Sequence, residues 1–320
     1  MNSAIGILDR TSPVYIAGHR GLVGSALVRR FQAEGFTNLL VRSHNELNLM
    51  DRAATFDFVV GARPQVVIDA AARVGGIMAN NTYPADFLSE NLQIQVNLLD
   101  AAVAARVPRL LFLGSSCIYP KFAPQPIPES ALLTGSLEPT NDSYAIAKIA
   151  GILQVQAVRR QHGLAWISAM PTNLYGPDDN FSPSGSHLLP ALIRRYEEAK
   201  ATGAPSVTNW GTGNPRRELL HVDDLASACL YLLEYFDGPD HVNVGTGVDH
   251  SISEIADMVA AAVGYTGETD WDSTKPDGTP RKLLDISTLR GMGWQSKTPL
   301  REGIEATVAW YRANVAAARQ

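Results

Sequence analysis

A glycine-spaced turn between an apolar strand and an amphipathic helix is the feature that most constrains the fold. The run Val14–Ala17 predicts a buried strand, and Gly18, Gly21 and Gly24 follow it before a helix predicted over residues 23–34. Glycine permits a tight turn and lets backbone N–H groups approach a pyrophosphate at a helix N-terminus. The spacing is GxxGxxG rather than the commoner GxGxxG, but its position between strand and helix predicts a dinucleotide-binding βαβ unit.

Apolar runs and amphipathic segments continue to alternate along the chain. Further strands are predicted at 39–41, 66–72, 109–115, 166–171 and 241–245, helices at 53–60, 84–105, 143–162 and 219–235, and loops at 172–187 and 266–299. Alternation of this kind indicates right-handed βαβ units and a parallel sheet covered on both faces. We therefore predict an α/β fold: a doubly wound parallel sheet of Rossmann type with a smaller, interleaved C-terminal lobe. Residues 13–171 and about 218–246 are assigned to the dinucleotide-binding domain, and 172–217 and 247–320 to a substrate-binding lobe.

Composition excludes several classes of protein. The net charge of −5 over 320 residues argues against nucleic acid as a partner. Cys117 and Cys229, the two cysteines, are too few for a disulfide framework or a zinc site, so no metal is expected. No apolar run is long enough to span a membrane, and the N-terminus lacks the pattern of a signal peptide. A cytoplasmic protein that acts on a small molecule is expected.

Two arginines favour NADP(H) over NAD(H). NAD-specific proteins usually place Asp or Glu after the second strand, to bind the ribose 2′-hydroxyl. Here Arg42 follows that strand and Arg20 lies in the glycine loop. Guanidinium groups suit a 2′-phosphate, because they can donate two parallel hydrogen bonds to it. The alternative is that Arg42 is a solvated surface charge.

A tyrosine and a lysine four residues apart predict a hydride-transfer site. Tyr144 and Lys148 share one face of the helix predicted over 143–162. A nearby ammonium group is expected to lower the pKa of the phenol, which can then protonate a carbonyl oxygen. Ser115 lies just beyond the carboxyl end of the strand at 109–115, where open α/β sheets bind ligands, and can donate to the same oxygen. Alone, the Tyr–Lys spacing also occurs by chance.

A cysteine and a histidine suggest a second reaction at the same site. Cys117 is two residues beyond Ser115, and a thiol whose pKa is lowered by cations can serve as a base toward a carbon acid. His187, at the predicted start of a helix, titrates near neutrality and can supply the proton on the opposite face. The alternatives are that Cys117 fills an apolar gap and that His187 merely begins a helix. Cys229, in LASACLYLLEY, is predicted to be a core residue.

Charged residues and a tryptophan in the C-terminal half suit a nucleoside diphosphate. WGTGNPRRELLHVDD contains Trp210, Arg216 and Arg217, and KPDGTPRK contains Lys275, Asp277, Arg281 and Lys282. Arginines match diphosphate oxygens, and an aspartate can accept from a ribose or a base edge. Each of these charges taken singly is as consistent with a solvated surface group, and the tryptophan with a core residue.

Long segments of the sequence then point to a family. The chain resembles extended short-chain dehydrogenases/reductases and, among them, the GDP-L-fucose synthase family. The segments that carry this resemblance are AGHRGLVGSA, RVGGIMANNTYPADF, LFLGSSCIYPK, LEPTNDSYAIAKIAG, MPTNLYGPDDNF and KPDGTPRKLLD, spread over residues 14–311. The resemblance implies an enzyme that uses NADP(H) to convert GDP-4-keto-6-deoxy-D-mannose to GDP-L-fucose, by epimerisation at C3 and C5 and reduction at C4.

The resemblance also implies roles for individual residues. Ser115, Tyr144 and Lys148 correspond to the reductase triad, Cys117 to the epimerisation base and His187 to the acid. The cofactor contacts expected from the resemblance and from the two arginines are Gly18, His19, Arg20, Gly21, Leu22, Val23, Gly24, Arg42, His44, Leu113, Gly114, Ser115, Ser116, Lys148, Pro171, Thr172, Asn173, Leu174 and His187. The nucleotide-sugar contacts are Arg195, Trp210, Arg217 and Asp277.

The chain departs from the family at one position, and two other functions stay open. Several family members have an arginine where this chain has His44, so some use of NADH is expected. A different nucleotide-sugar epimerase or dehydratase is one alternative, although Ser143 precedes Tyr144 where a dehydratase would carry Glu. A non-catalytic NADP-binding regulator is the other.

The family further implies a homodimer. Extended family members pair two helices of each subunit in a four-helix bundle, here the helix at 84–105 and the Tyr144 helix. The second apolar face of the Tyr144 helix is predicted to comprise Ile149, Ile152, Leu153 and Val155.

Overall fold

The structure is a computed structural model that describes residue 6 and residues 8–183, 185–275 and 277–314. The strands are β1 (Val14–Ala17), β2 (Leu39–Leu40), β3 (Val66–Asp69), β4 (Arg109–Leu113), β5 (Ala165–Pro171), β6 (Asn173–Tyr175), β7 (Ser206–Trp210), β8 (Arg216–His221), β9 (Val242–Val244), β10 (Asp249–Ser251), β11 (Glu268–Asp272) and β12 (Arg281–Lys282). The helices are α1 (Leu22–Ala33), α2 (Arg52–Ala62), α3 (Ile77–Thr82), α4 (Pro84–Ala104), α5 (Asp142–His162), α6 (Leu188–Thr202), α7 (Val222–Tyr235), α8 (Ile252–Val263), α9 (Ser287–Gly291) and α10 (Leu300–Asn314).

The central sheet is parallel and has the strand order β2-β1-β3-β4-β5-β9. The predicted α/β fold, a doubly wound parallel sheet of Rossmann type, is confirmed. Because the chain runs from β1 to β2 on one side and returns to β3 on the other, the strand order reverses between β1 and β3. Ligands of such sheets bind beyond the carboxyl ends of the strands at this reversal.

Two apolar layers cover the faces of this sheet. Alternate residues of β4 show the division, because successive strand side chains point to opposite faces. Leu111 and Leu113 pack with α1 and α7, whereas Leu110 and Phe112 pack with α4 and α5. Cys229 lies fully buried in the α1–α7 layer, as predicted. Continuous burial of each strand explains why the sequence shows uninterrupted apolar runs there.

The C-terminal half contributes smaller sheets and a third apolar cluster. Strand β8 pairs with β6, β10 and β12, and β7 pairs with β11. Helices α6, α8 and α10 pack with β7 and β8 through buried side chains that include Tyr196, Val259 and Ile304. The exact division of the chain into two domains stays a prediction. None of the helices in the described ranges is long and apolar enough to cross a membrane.

Several predicted boundaries were wrong. The helix predicted over 219–235 begins at Val222, because Leu219 and Leu220 belong to β8 and pair with β6. The predicted loops at 172–187 and 266–299 contain β6, β11, β12 and α9. The second apolar face predicted for the Tyr144 helix, α5, is mostly core: Ile149, Ile152 and Val155 are buried, and Leu153 is 42% exposed.

Candidate active site

The glycine loop has the close packing that only glycine allows. Gly18 has φ of +77°, and a Cβ atom there would lie 2.7 Å from the carbonyl oxygen of Ala70. A Cβ atom on Gly24 would lie 2.1 Å from the carbonyl oxygen of Gly18. Gly21 is the N-cap of α1 and provides no side chain to cap its N–H groups. This end of α1 therefore fits the pyrophosphate of a dinucleotide, which the α1 N–H groups would bind.

The positive side chains expected around the adenosine ribose lie near one another. Burial lowers the pKa of His19, and the charge of Arg20 adds to this effect; the His19 ring also lies against the backbone of Arg42. Arg42 is exposed, with Nη1 2.8 Å from the Val41 carbonyl oxygen and its guanidinium 4.9 Å from the Phe58 ring centroid. His44 is exposed two residues further along.

Sequence reasoning missed an acid beside these arginines. Hydrogen bonds from Ser43, and then the charges of Arg42 and Arg20, lower the pKa of Glu46. The Glu46 carboxylate accepts from the Ser43 backbone at 2.7 Å and its hydroxyl at 2.6 Å. The sequence does contain an acidic residue after β2, but Glu46 lies six residues beyond the strand and was therefore not recognised.

Two further expected cofactor segments lie at the ends of adjacent strands. Gly114 and Thr172 follow β4 and β5, and their backbone N–H groups donate to Ala169 and Val244 at 3.0 Å. The Asn173 side-chain amide donates to the carbonyl oxygen of Glu218 at 2.9 Å. Both segments share the sheet edge of the glycine loop. Five of the expected contacts have side chains that are buried or that pack partly on the core: Leu22, Val23, Leu113, Ser116 and Leu174.

Tyr144 and Lys148 project from α5 toward the end of β4. Lys148 is buried and its ammonium donates to the Leu113 carbonyl oxygen at 2.9 Å, 5.9 Å from the Tyr144 ring centroid. The expectation that Lys148 lowers the pKa of Tyr144 was wrong. Desolvation raises the pKa of Tyr144, and the nearby Cys117 raises it further. Tyr144 therefore keeps its proton, as a proton donor must.

Asp69, at the end of β3, is a site residue that the sequence did not indicate. Burial raises its pKa to about 6, although the charge of Lys148 opposes the change. One carboxylate oxygen accepts from the Ala71 N–H at 3.2 Å, and the other is buried without a hydrogen-bond partner. Burial lowers the pKa of Lys148, and Asp69 opposes that shift. Asp69 is therefore the counter-charge of Lys148.

Two polar side chains from distant segments of the chain contact the Cys117 thiol. Asn141 Nδ2 lies 3.3 Å and Lys282 Nζ 3.6 Å from the Cys117 sulfur. Ser115 begins the short 3₁₀ turn that carries Cys117, and its hydroxyl oxygen accepts from the Cys117 N–H at 3.3 Å. The Asn141 amide and the Lys282 ammonium are both hydrogen-bond donors from which the Cys117 sulfur can accept. Neither partner was assigned to Cys117 from the sequence.

The predicted acid, His187, is near enough to Lys282 to be affected by its charge. It is the N-cap of α6, as predicted, and makes no side-chain capping bond. Its ring has exposed surface, yet the surrounding protein atoms lower its pKa by desolvation, and Lys282 lowers it further. Lys282 therefore affects both the predicted base, by direct contact, and the predicted acid, through its charge.

The four predicted substrate residues gather at one corner of the C-terminal half. Trp210 is 61% exposed at the end of β7, and the following Thr212 donates to the Asp277 carboxylate through its N–H at 2.7 Å and its hydroxyl at 2.8 Å. Burial lowers the pKa of Arg217, opposed by the charge of Asp277. Arg195 hydrogen-bonds the Asn209 side chain, next to Trp210. An exposed indole beside cations suits a base and its phosphates.

Strand pairing connects this corner to Cys117. In the β8–β12 pair, Arg217 is opposite Lys282. The Asp249 carboxylate joins the same two strands, 3.0 Å from Arg216 Nε and 2.5 Å from Arg281 Nε. Across the described ranges, no group of three or more His, Cys, Asp or Glu side chains is placed to hold a metal ion.

Comparisons with known proteins agree with this arrangement. The sequence profile of the NAD dependent epimerase/dehydratase family matches residues 14–245. GDP-L-fucose synthase 1 of Arabidopsis thaliana is 60% identical over 307 residues, covering 96% of this chain and 95% of its own length.

Solved structures show the same fold. A GDP-L-fucose synthetase from Naegleria fowleri bound to NADP superposes with a TM-score of 0.92 at 26% identity, covering 100% of this chain and 98% of that one. A GDP-6-OMe-4-keto-L-xylo-heptose reductase from C. jejuni does so with a TM-score of 0.92 at 35% identity, covering 96% and 99%. The chain therefore belongs to the NAD dependent epimerase/dehydratase family and, within it, to the GDP-L-fucose synthase group.

Proposed function

We propose that this protein converts GDP-4-keto-6-deoxy-D-mannose to GDP-L-fucose, by epimerisation at C3 and C5 followed by reduction at C4. The observation that carries the proposal is the Cys117 thiol, contacted by Asn141 and Lys282, beside the Ser115–Tyr144–Lys148 cluster. A reductase alone needs no such thiol. NADPH supplies the hydride for C4.

Cys117 is the base of the epimerisation. The C4 ketone acidifies the protons on C3 and C5, and a thiolate can remove each in turn. The Lys282 ammonium, 3.6 Å from the sulfur, stabilises the thiolate before it accepts the proton. His187 returns a proton to the opposite face of the ring, which inverts the carbon. The low pKa of His187 makes it a ready proton donor once it is protonated.

Ser115 and Tyr144 serve both reactions at the C4 oxygen. During epimerisation their hydroxyls stabilise the negative charge of the enolate oxygen by hydrogen bonding. During reduction Tyr144 gives its proton to the same oxygen, and its raised pKa keeps that proton in place until the oxygen becomes strongly basic. Lys148 is buried, its ammonium donates to the Leu113 carbonyl oxygen at 2.9 Å, and it can hold the nicotinamide ribose.

The cofactor and nucleotide contacts extend this proposal. The glycine loop would hold the pyrophosphate at α1, and Arg20 and Arg42 the 2′-phosphate. His44, where several family members have an arginine, is the ground for expecting that NADPH is preferred without being strictly required. In the substrate, Trp210 would stack on guanine, Arg195 and Arg217 bind the diphosphate and Asp277 accept from a hydroxyl.

We further propose a cytoplasmic homodimer. The outer faces of α4 and α5 expose Val96, Ile146 and Leu153, which are 36%, 45% and 42% accessible. Ile146 and Leu153 are seven residues apart and lie on one face of α5. Pairing these faces in two subunits would bury apolar side chains that the single chain leaves in water.

Incubation with GDP-4-keto-6-deoxy-D-mannose and NADPH tests the proposal. We expect loss of the ultraviolet absorbance of NADPH and a product with the stereochemistry of GDP-L-fucose. Reduction without inversion at C3 and C5 would instead point to a C4 reductase. NADPH binding without any turnover would favour a non-catalytic regulator.

A further inference from the structure

The Glu138 carboxylate joins three separate segments of the active site. It lies 3.0 Å from the Lys121 ammonium, and one oxygen also accepts from the Thr279 hydroxyl at 3.3 Å. The other oxygen accepts from the Thr140 hydroxyl at 3.4 Å. The Glu138 carbonyl oxygen in addition accepts from the Asn141 N–H at 3.1 Å.

Each segment that meets Glu138 supplies one member of the Cys117 cluster. Lys121 follows Cys117 itself by four residues. Thr140 directly precedes Asn141, and Thr279 precedes Lys282 by three residues. The thiol and its two polar partners therefore come from the three stretches of chain that converge on this single carboxylate.

Glu138 is ionised and only partly shielded. Burial by itself would raise its pKa, but the hydrogen bond and charge of Lys121, followed by the bonds from Thr140 and Thr279, lower it. The Glu138 and Lys121 side chains are 21% and 30% exposed, and pairs of this exposure add little to stability. The Glu138–Lys121 pair is notable because three segments converge on it, and not because any one of its contacts is strong.

We propose that Glu138 is a positioning residue for epimerisation, which holds Asn141 and Lys282 against the Cys117 sulfur. This inference rests on the proposed function. Reduction does not need these contacts, because the buried Lys148 is held by the Leu113 carbonyl oxygen, between α5 and the sheet. Loss of Glu138 should therefore slow proton transfer at C3 and C5 more than hydride transfer at C4.

Glu138→Gln tests the inference, because it keeps the shape of the side chain and removes its charge. Deuterium exchange into C3 and C5 of the keto sugar in D₂O should fall roughly 10- to 100-fold, as small misplacements of catalytic groups cost rate. NADPH affinity should stay unchanged. With NADPH present, more of the reduced sugar should retain its original configuration. Thr279→Val, which leaves the Lys121 pair intact, should shift the product in the same direction by less.

Glu234→Gln is the matched control. Glu234 also forms an ion pair, with Arg10. It lies near the amino ends of the strands, where Arg109 at the start of β4 binds the end of α7. The ratio of epimerised to unepimerised reduced sugar made by Glu234→Gln should equal that of the wild type. Equal losses of exchange and reduction in Glu138→Gln, or no loss of exchange, would overturn the inference. A wild-type protein that neither exchanges nor reduces would overturn the proposed function itself.

Discussion

In the proposed mechanism, Cys117 and Tyr144 carry out two different kinds of proton transfer. The thiol lies beside the Lys282 ammonium and the Asn141 amide, two donors from which its sulfur can accept hydrogen bonds. The phenol is desolvated and lies near the thiol, so its pKa is raised and it keeps its proton. The two hydroxyls of Ser115 and Tyr144 are proposed to contact one carbonyl oxygen that both reactions use.

Separate substitutions should therefore separate the reactions. Cys117→Ser should abolish deuterium exchange at C3 and C5 without NADPH, because a serine hydroxyl is far less acidic than a thiol. Tyr144→Phe should slow reduction about 10²- to 10⁴-fold, the usual cost of losing a general acid, while part of the exchange survives. Mass spectrometry of the keto sugar and NADPH absorbance measure the two rates. Normal exchange by Cys117→Ser would refute its role as base.

We expect cofactor preference to depend on Arg20 and Arg42, near the glycine loop. Arg42→Ala should raise the KM for NADPH about tenfold or more and leave that for NADH nearly unchanged, since one charged hydrogen bond contributes roughly 1.5–3 kcal/mol. Initial rates with each cofactor measure the effect. Arg301→Ala, at an exposed arginine of α10, provides a control that removes a positive charge outside the proposed site. An equal change with both cofactors would contradict the assignment.

Among the secondary structure elements, β8 and β12 depend on the carboxylate of Asp249. This side chain is 6% exposed and pairs with Arg216 and Arg281, which are 41% and 44% exposed. Burial would raise the pKa of Asp249, but hydrogen bonds from Arg281 and Arg216 lower it. The carboxylate therefore stabilises the folded state above its ordinary pKa, and this contribution is lost as the pH falls through the lowered value.

Asp249→Asn should accordingly reduce the free energy of unfolding at neutral pH by about 1–2 kcal/mol, a value between those of buried and exposed pairs. Denaturant titrations at neutral and at acidic pH provide the measurement. The difference between wild type and variant should shrink in acid, because the wild-type carboxyl is then protonated too. A difference that grows as the pH falls would contradict this role.

The elements of the first half could be predicted because their signals are local. Buried parallel strands appear as apolar runs, and Gly18, Gly21 and Gly24 mark the turn into α1. The start of α7 could not, because Leu219 and Leu220 directly precede the helical segment with only His221 between them and Val222, and pairing with β6 decides between strand and helix. Propensity alone cannot weigh such long-range partners.

The candidate site was predicted as a set of residues but not as a set of contacts. The hydrogen-bond partners of Cys117 come from 24 and 165 positions along the chain, so no spacing rule could find them. Asp69 closes an ordinary apolar run, and its link to Lys148 depends on how β3 and β4 pair. The raised pKa of Tyr144 was missed because burial, its main cause, cannot be read from a helix pattern.

The whole molecule should be a dimer joined through α4 and α5. Ile146→Asp or Leu153→Asp should shift the protein from dimer to monomer in sedimentation at micromolar concentration, because a charge in an apolar interface is left without a partner. Val248→Asp, at a residue 56% exposed outside these helices, should not. A wild-type protein that sediments as a monomer would refute the proposed assembly.

The central claim is that one chain performs both epimerisation and reduction, and the isotope content of its product tests this most directly. GDP-4-keto-6-deoxy-D-mannose is converted in D₂O with NADPH, and the sugar product is analysed by NMR. We predict a product with the configuration of GDP-L-fucose and with deuterium at both C3 and C5, because each centre must lose its proton and regain one from solvent. A reduced product without deuterium at either carbon would contradict the account.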